Sequence, residues 1–452
     1  MSETLTRSLA AFVSDLRLAA VPADAMAVVR TGFADCVGTM VAGSVEDPPN
    51  ILRRTLAPAA GDASLYLTGP RVPAPDAAWI NGTAAHALDY DDVALRGHPS
   101  TVLVPAILAE GESLGASGAA LAAAYVVGYE VWAELAGRDP AQHHQKGWHP
   151  TGIFGPIGAA AACASLRGLD ADKAAHAIAL GASHSSGLVA NFGTMTKPYH
   201  AGRAAHSGVV AARLAAAGFT ASPDALEHPL GFLAAVSPKG EANRTSPAAA
   251  GRSWQILQQG LSIKKYPLCY CTHRAIDGML DLLALQKVKP SDVESITVST
   301  SRRNATILRN SQPQTGLEAK FSMQFAMASS VVAGRVGLAE LTDAFVQRRD
   351  IQTLMPKVTV APDDREDPKR PGAAPYDLVT IHTRDGRQLE SGRITEERGS
   401  PELPLSAEEL WVKFASCLSV GNPKLNARAL FEALMAIERQ SGVAALRAAC
   451  AA

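Results

Sequence analysis

Between His86 and His98 the chain carries two imidazoles, three carboxylates and a guanidinium: His86, Asp89, Asp91, Asp92, Arg96 and His98, in the stretch NGTAAHALDYDDVALRGHPSTVLVP. The flanking sequence is small or apolar and uncharged, so this group is not one more turn of a solvated charged face. Imidazoles beside carboxylates can move protons near neutral pH, or hold a divalent cation through nitrogen and oxygen. Further along, His149 is constrained between Trp148 and Pro150. Lys197 precedes Pro198 in a stretch without acids, and Tyr199, His200 and Arg203 follow. Cys269, Cys271 and His273 stand close together, just after Lys264 and Lys265. With no second Cys/His cluster they make at most half of a zinc site.

Two kinds of chemistry fit these residues. In one, histidines act as general acid and base while Lys197 and Arg203 hold substrate carboxylates. Removing a proton next to a carboxylate builds negative charge, which preorganised cations stabilise. In the other, His86, Asp89, Asp91, Asp92 and His98 bind a divalent metal, as in a helical metal-dependent phosphohydrolase. A non-catalytic helical scaffold is a third possibility, but it leaves the basic and imidazole groups in uncharged surroundings unexplained. No glycine-rich phosphate loop follows a strand and no G-x-S-x-G occurs, so nucleotide and serine-hydrolase readings have nothing to rest on.

The elements that must position these residues are mostly helical. Helical spacing of apolar residues predicts helices over Leu5–Leu18, Ala23–Gly43, Ala77–Leu88, Val102–Leu114, Ala119–Leu135, Gly155–Leu166 and Ala171–Gly181. Gly97 and Pro99 make 95–99 a turn, after which Ser100 or Thr101 can cap the next helix. Leu65–Leu67 reads as a short extended piece, 191–200 as a turn-rich loop before a helix bearing Arg203 and His206, and Ser222-Pro223-Asp224 as a helix start. Near Gly260 the character changes. Ser291–Thr300 and Lys357–Val360 are strand-like, and Tyr376–Thr383 with Arg387–Ile394 flanks Asp385-Gly386, a hairpin signal. Helices His273–Leu285 and Phe321–Val332 lie between. The expected fold is mainly α with a second α+β domain: an all-helical domain from 1–261 and 401–452, and an α+β domain over 262–400. At the return, Ser406-x-x-Glu409 makes a capping box.

Composition bounds the partners. The 452 residues carry 42 basic and 43 acidic side chains, a net charge of −1, which argues against nucleic acid or an anionic membrane as the main partner. Hydrophobic residues reach 47% and aromatics only 5%, so helices must pack through small side chains. Six scattered cysteines without CxxC, and an N-terminus with Glu3, Arg7 and Asp15, suggest a reduced, cytoplasmic protein without a secretory signal. The uncharged run His149–Leu166 contains Pro150, Gly152, Gly155, Pro156 and Gly158 and is not read as a membrane span.

The opening stretch strongly resembles the MmgE/PrpD family of 2-methylcitrate dehydratases, cis-aconitate decarboxylases and an iminodisuccinate epimerase. So do DCVGTMVAG from Asp35, GWHPTGIFGPIGAAAA from Gly147, KPYHAGRAA from Lys197 and KKYPLCYCTHRAID from Lys264. The matches run in order over most of the chain. The resemblance implies a large helical domain, a smaller α+β domain with the site between them, usually a homodimer, and chemistry on small di- or tricarboxylates without metal or organic cofactor. It places the catalytic residues at Asp91, His98, His149, Lys197 and His273; Arg96, Tyr199, His200, Arg203 and Lys265, picked for their own chemistry, are the candidate substrate-binding groups. The expected activity is a cofactor-independent lyase of the 2-methylcitrate dehydratase type. Decarboxylase-like and epimerase-like chemistry are the alternatives, and a metal phosphohydrolase is remote. One departure counts against a decarboxylase, which carries tyrosine where this chain has Phe325.

Overall fold

Alanine and glycine recur along the N-terminal helices, and their spacing decides how closely those helices approach. The structure is a computed structural model and describes residues 4–368, 370 and 373–451. The chain divides into two units, one formed by Met1–Ser262 with Ala407–Ala452, the other by Ile263–Ser406.

The first unit is built on α1 (Leu5–Asp15), α2 (Ala25–Gly43), α3 (Asp47–Leu56), α4 (Ala74–Ala87), α5 (Ser100–Leu114), α6 (Gly118–Gly137), α7 (Pro150–Leu166), α8 (Ala171–Ser183) and α9 (Thr196–Ala216). Three helices from the C-terminal end, Ala407–Gly421, Ala427–Leu434 and Val443–Ala451, complete it. By length and hydropathy α2 and α6 could cross a membrane, but 78% and 83% of their most apolar stretches are buried here, as in core helices.

The pair α4 and α9 shows why small residues are needed. A Cβ on Gly202 of α9 would lie 2.2 Å from both the Thr83 hydroxyl and the Trp79 carbonyl of α4, and one on Gly82 would lie 2.8 Å from Gly202 Cα. Only glycine permits backbones this close. The contact brings the end of α4, with His86, alongside the start of α9, with Lys197 and His200.

Several local expectations need correction. α7 begins at Pro150 and runs through Gly152, Gly155 and Pro156, five residues earlier than periodicity suggests. Gly152 is there for space, since a Cβ on it would meet the Ser186 carbonyl at 2.1 Å. α9 begins at Thr196, so Lys197 and His200 are helical rather than in a loop. Leu65–Leu67 is a turn, with Tyr66 and Leu67 at φ 52° and 65°, and the strand before it is only Ala63–Ser64 (β1), paired with Arg71–Val72 (β2). Ser222–Asp224 starts no helix: the Ser222 hydroxyl donates to Asp224 instead of capping, and the segment stays in turns.

The second unit carries a four-stranded sheet in the order β4-β3-β5-β6, from Val293–Ser301 (β3), Val358–Asp363 (β4), Leu378–Thr383 (β5) and Gln388–Glu390 (β6). β3 runs parallel to β4 and antiparallel to β5. The β5–β6 hairpin turns at Asp385-Gly386, with Gly386 at φ 83°, as its sequence predicts. Helices His273–Gln286 and Met323–Ala333 contribute Ile276, Met279, Phe325 and Met327 to a core shared with Ile296, Val298, Val379 and Ile381.

A Gly202→Ala substitution should therefore destabilise the protein by about 1–3 kcal/mol, because its methyl meets backbone as well as side chain. Urea or thermal unfolding measures this, and an unchanged midpoint would refute the close approach of α4 and α9.

Candidate active site

The site lies in the first unit and starts where α4 stops. His86 sits in the last turn of α4, and Asp89 turns the chain with φ 51°. Leu95 and Arg96 take left-handed conformations as well, at φ 51° and 65°, closing a tight turn in which Ala94 and Gly97 exchange both backbone hydrogen bonds. Non-glycine residues adopt this region at a cost that surrounding structure must offset, and such residues cluster at functional sites. The turn delivers His98 back towards His86.

Asp91 joins the two histidines. It is fully buried, with Oδ1 2.8 Å from His86 Nδ1 and Oδ2 2.7 Å from His98 Nδ1. His98 Nδ1 is also 2.9 Å from the Asp92 carbonyl, another acceptor. A nitrogen facing a carboxylate and a carbonyl must carry the proton. Both rings are therefore Nδ1–H tautomers when neutral, and each Nε2 is left with a free lone pair for proton chemistry. The His86 and His98 rings lie 4.3 Å apart, and His149 stands 6.3 Å and 6.4 Å from them. Nδ1 of His149 is 3.1 Å from Nδ1 of His200, so one ring donates to the other. Lys197 Nζ pairs with Asp89 Oδ1 at 2.7 Å and lies 5.4 Å from the Phe192 ring centroid.

Electrostatics follow from this burial. Burial alone would raise Asp91, but His86 and His98 outweigh it and hold the carboxyl well below its usual range. Burial lowers His86 to about 4, opposed by Asp91 and reinforced by His98 and Lys197. His149 is pushed well down by burial, then by Lys197 and the neighbouring histidines. Asp92 goes the other way: burial, with Asp91 and Asp35 nearby, raises it well above the carboxylate range. The interior of the site thus favours neutral imidazoles around one ionised carboxylate. Its accessible edge is formed by the partly exposed Asp89 and Lys197.

Asp91, His98, His149, Lys197 and His200 are therefore brought together. Arg96, Tyr199 and Arg203 are not. The Arg96 guanidinium turns to the Ala141 carbonyl at 2.7 Å. Tyr199 and Arg203 lie against Trp79, with Tyr199 5.6 Å and the Arg203 guanidinium 4.9 Å from the indole centroid. Helical phase is the reason. With about 100° per residue, Tyr199 and Arg203 lie within roughly 40° of each other on a flank of α9 turned about 110° from the one that carries Lys197 and His200. Reading 191–200 as a loop hid that phase. Lys265 and His273 belong to the second unit. There Lys265 lies 6.0 Å from the Tyr266 ring, and His273 is fully buried with Nε2 3.3 Å from the Leu268 carbonyl. Phe325 is buried in the apolar core of that unit, edge-on to Phe345.

Two residues read from the sequence only as part of the opening cluster and as candidate metal ligands take other roles. Asp89 partners Lys197, and His86 is the other half of the Asp91 bridge. Their crowding into the opening stretch was the available signal, but the Asp89–Lys197 pairing spans 108 positions and has no local trace.

His86, Asp89, Asp91 and His98 offer metal-ligand atoms within 4.8 Å of one another. Their present bonds argue for a different use. Both Nδ1 atoms are committed to Asp91, and the Asp89 carboxylate is matched by the Lys197 ammonium. A divalent ion would have to displace that ammonium.

Comparisons with known proteins agree in their coverage. The MmgE/PrpD N-terminal domain model matches residues 7–245 and the MmgE/PrpD C-terminal domain model residues 266–435. The human cis-aconitate decarboxylase is 30% identical over 363 residues, covering 76% of this chain and 72% of its own. The Mus musculus enzyme of the same name is 29% identical, with 76% and 72% covered. One from Aspergillus terreus is 24% identical, with 74% and 71% covered.

The lowered imidazoles carry a stability prediction. As pH falls below 6.5, the unfolded chain takes up protons at His86 and His149, whereas native His86 resists until about pH 4. More protons bound in the unfolded state means that stability falls as pH drops through this window. For His86 alone the loss is on the order of 3 kcal/mol. Urea midpoints at pH 7.5 and 4.5 should differ accordingly, with a smaller difference in His86→Gln. A midpoint that does not move with pH would show that these rings are not held neutral.

Proposed function

The chain belongs to the MmgE/PrpD family and is an enzyme of lyase type, and we propose that it acts on a small di- or tricarboxylate by proton transfer through His98 and His149. The observation that carries this reading is the Asp91 bridge, which orients His98 with Nδ1–H inward and the Nε2 lone pair available. Asp91 also stabilises the imidazolium formed when Nε2 takes a proton, so His98 can accept and then return one. His86, deeper and fully buried, keeps Asp91 in place from the other side.

Lys197 supplies the fixed cation. A substrate carboxylate that replaces Asp89 at the ammonium would have its α-carbon near the imidazoles. Negative charge that develops on deprotonation is then stabilised by a cation already in place. Elimination of water makes fullest use of the site. One imidazole removes the proton beside the carboxylate, and the other, entering as imidazolium, gives a proton to the departing hydroxyl. The proton gained by the first passes to the second through solvent before the next turnover. This is the 2-methylcitrate dehydratase type of reaction.

Decarboxylation is the second reading, favoured by the relatives named cis-aconitate decarboxylase. It asks less of the site: carbon dioxide leaves, the double bond shifts, and a single imidazolium protonates carbon.

Incubation with a panel of hydroxylated and unsaturated polycarboxylates in D₂O, followed by NMR, separates the two by product. Deuterium exchange without loss of water or carbon dioxide would overturn both and point to an isomerase. On the substrate so identified, His98→Gln and His149→Gln should each lose roughly 10²–10⁴-fold in kcat with little change in KM. Near wild-type kcat in both would refute their roles. Lys197→Ala should raise KM, with a loss in kcat/KM worth about 1.5–3 kcal/mol. Dialysis against a strong chelator should leave turnover intact. Activity lost and then restored by Mg²⁺, Mn²⁺ or Zn²⁺ would return the four-residue cluster to a metal role.

A further inference from the structure

Asp89 and Asp91 do their work on either side of Tyr90, and Tyr90 is held from the opposite side. Its carbonyl accepts a hydrogen bond from the Lys413 ammonium at 2.7 Å, and the same ammonium lies 4.1 Å from its ring centroid. Lys413 is carried by the Ala407–Gly421 helix and is only 5% exposed. It forms an ion pair with Asp35 of α2, itself 2% exposed. Taking an ammonium and a carboxylate out of water is expensive, and well-packed apolar residues often serve stability as well or better. A buried pair of this kind therefore invites the question of what else it does. Here its third partner is a backbone carbonyl inside the segment that carries both acidic site residues.

We propose that Lys413 is a positioning residue of the active site: by clamping Tyr90 it keeps Asp89 at Lys197 and Asp91 between His86 and His98. The inference rests on the reading of those groups as the reaction's proton-transfer and carboxylate-binding machinery. Several features make such a clamp necessary. Asp89 is in a left-handed conformation that the chain would leave if released. Asp91 must meet two rings at once, so a shift of the segment along its own axis would weaken one bond while tightening the other. Asp35 meets the Lys413 ammonium through its carboxylate and Tyr90 meets it through its backbone carbonyl, so charge compensation and positioning fall to different atoms.

The two roles can be separated in the full-length protein. Lys413→Met alone would leave the Asp35 carboxylate buried without its cation, and a folding defect there would be uninformative. The informative comparison is Asp35→Asn against Lys413→Met/Asp35→Asn. Asp35→Asn keeps the clamp and should keep kcat near wild type. Asp35→Asn leaves the Lys413 ammonium without its counter-charge, whereas the double variant removes both buried charges, so its melting temperature should equal or exceed that of Asp35→Asn, while kcat falls roughly tenfold or more through misplacement of the site. Low-field proton NMR reads the same change without substrate. The Nδ1 protons that His86 and His98 donate to Asp91 should give deshielded resonances in the wild type and in Asp35→Asn, and these should shift or broaden in the double variant. Lys413→Leu in the Asp35→Asn background is the alternative pair should methionine fail to pack. A folded double variant with wild-type kcat and unchanged low-field resonances would overturn the proposal. If the wild type turns over no polycarboxylate, the proposed function fails, and the NMR comparison still decides whether Lys413 positions the Asp91 bridge.

Discussion

One buried carboxylate organises this site. Asp91 is fully buried, and an isolated charge in such a place would cost several kcal/mol or simply take up a proton. It stays ionised because two imidazole N–H groups, from His86 and His98, each meet one of its oxygens. That arrangement has a chemical consequence beyond stability. It decides which nitrogen of each ring carries the proton, and so which nitrogen is free to react. It also makes the neighbouring residues interdependent: Asp92, buried and then crowded by Asp91 and Asp35, is driven towards its neutral form, and His149 is held neutral by burial and by Lys197.

Such a carboxylate requires rigid surroundings, and here rigidity comes from helices packed unusually close. Gly82 and Gly202 let α4 and α9 approach until side chains from one touch the backbone of the other. The end of one helix and the start of the other then supply His86, Lys197 and His200 to the same small volume. The low aromatic content follows from the same constraint, because rings at these contacts would push the helices apart. The left-handed residues Asp89, Leu95 and Arg96 are the local cost of turning the chain tightly enough to bring His98 back.

The errors of sequence reading have a common physical origin. Glycine and proline were treated as helix breakers in α7 and at the start of α9. In both places they belong inside the helix: glycine gives close approach to Ser186 or α4, Pro150 and Pro198 stand in the first turn, where a missing N–H costs nothing, and Pro156 sits in the interior of α7. Misplacing the start of α9 concealed the helical phase that separates Lys197 and His200 from Tyr199 and Arg203. Arg96 was grouped with the site because it stands close in sequence, but its left-handed backbone aims the guanidinium at Ala141. The Ser222 segment had cap chemistry without a helix to follow, because its hydroxyl is occupied within the turn.

By itself the sequence narrowed the chemistry to acid–base catalysis or metal binding by imidazoles and carboxylates. Imidazoles and carboxylates crowded into uncharged surroundings can only be buried or nearly so, and buried groups of these types must pair with one another or with substrate. It also determined the two-part architecture, since a change from helical to alternating periodicity near Gly260 is a local property. Tertiary structure alone decided the partners. The Asp89–Lys197 pair and the Lys413–Asp35 pair join residues far apart in the chain, and no local pattern encodes a distance of that kind. Which of several nearby polar residues face the site depended on the phase of α9 and on three left-handed residues. Those conformations persist only because close helix packing holds them.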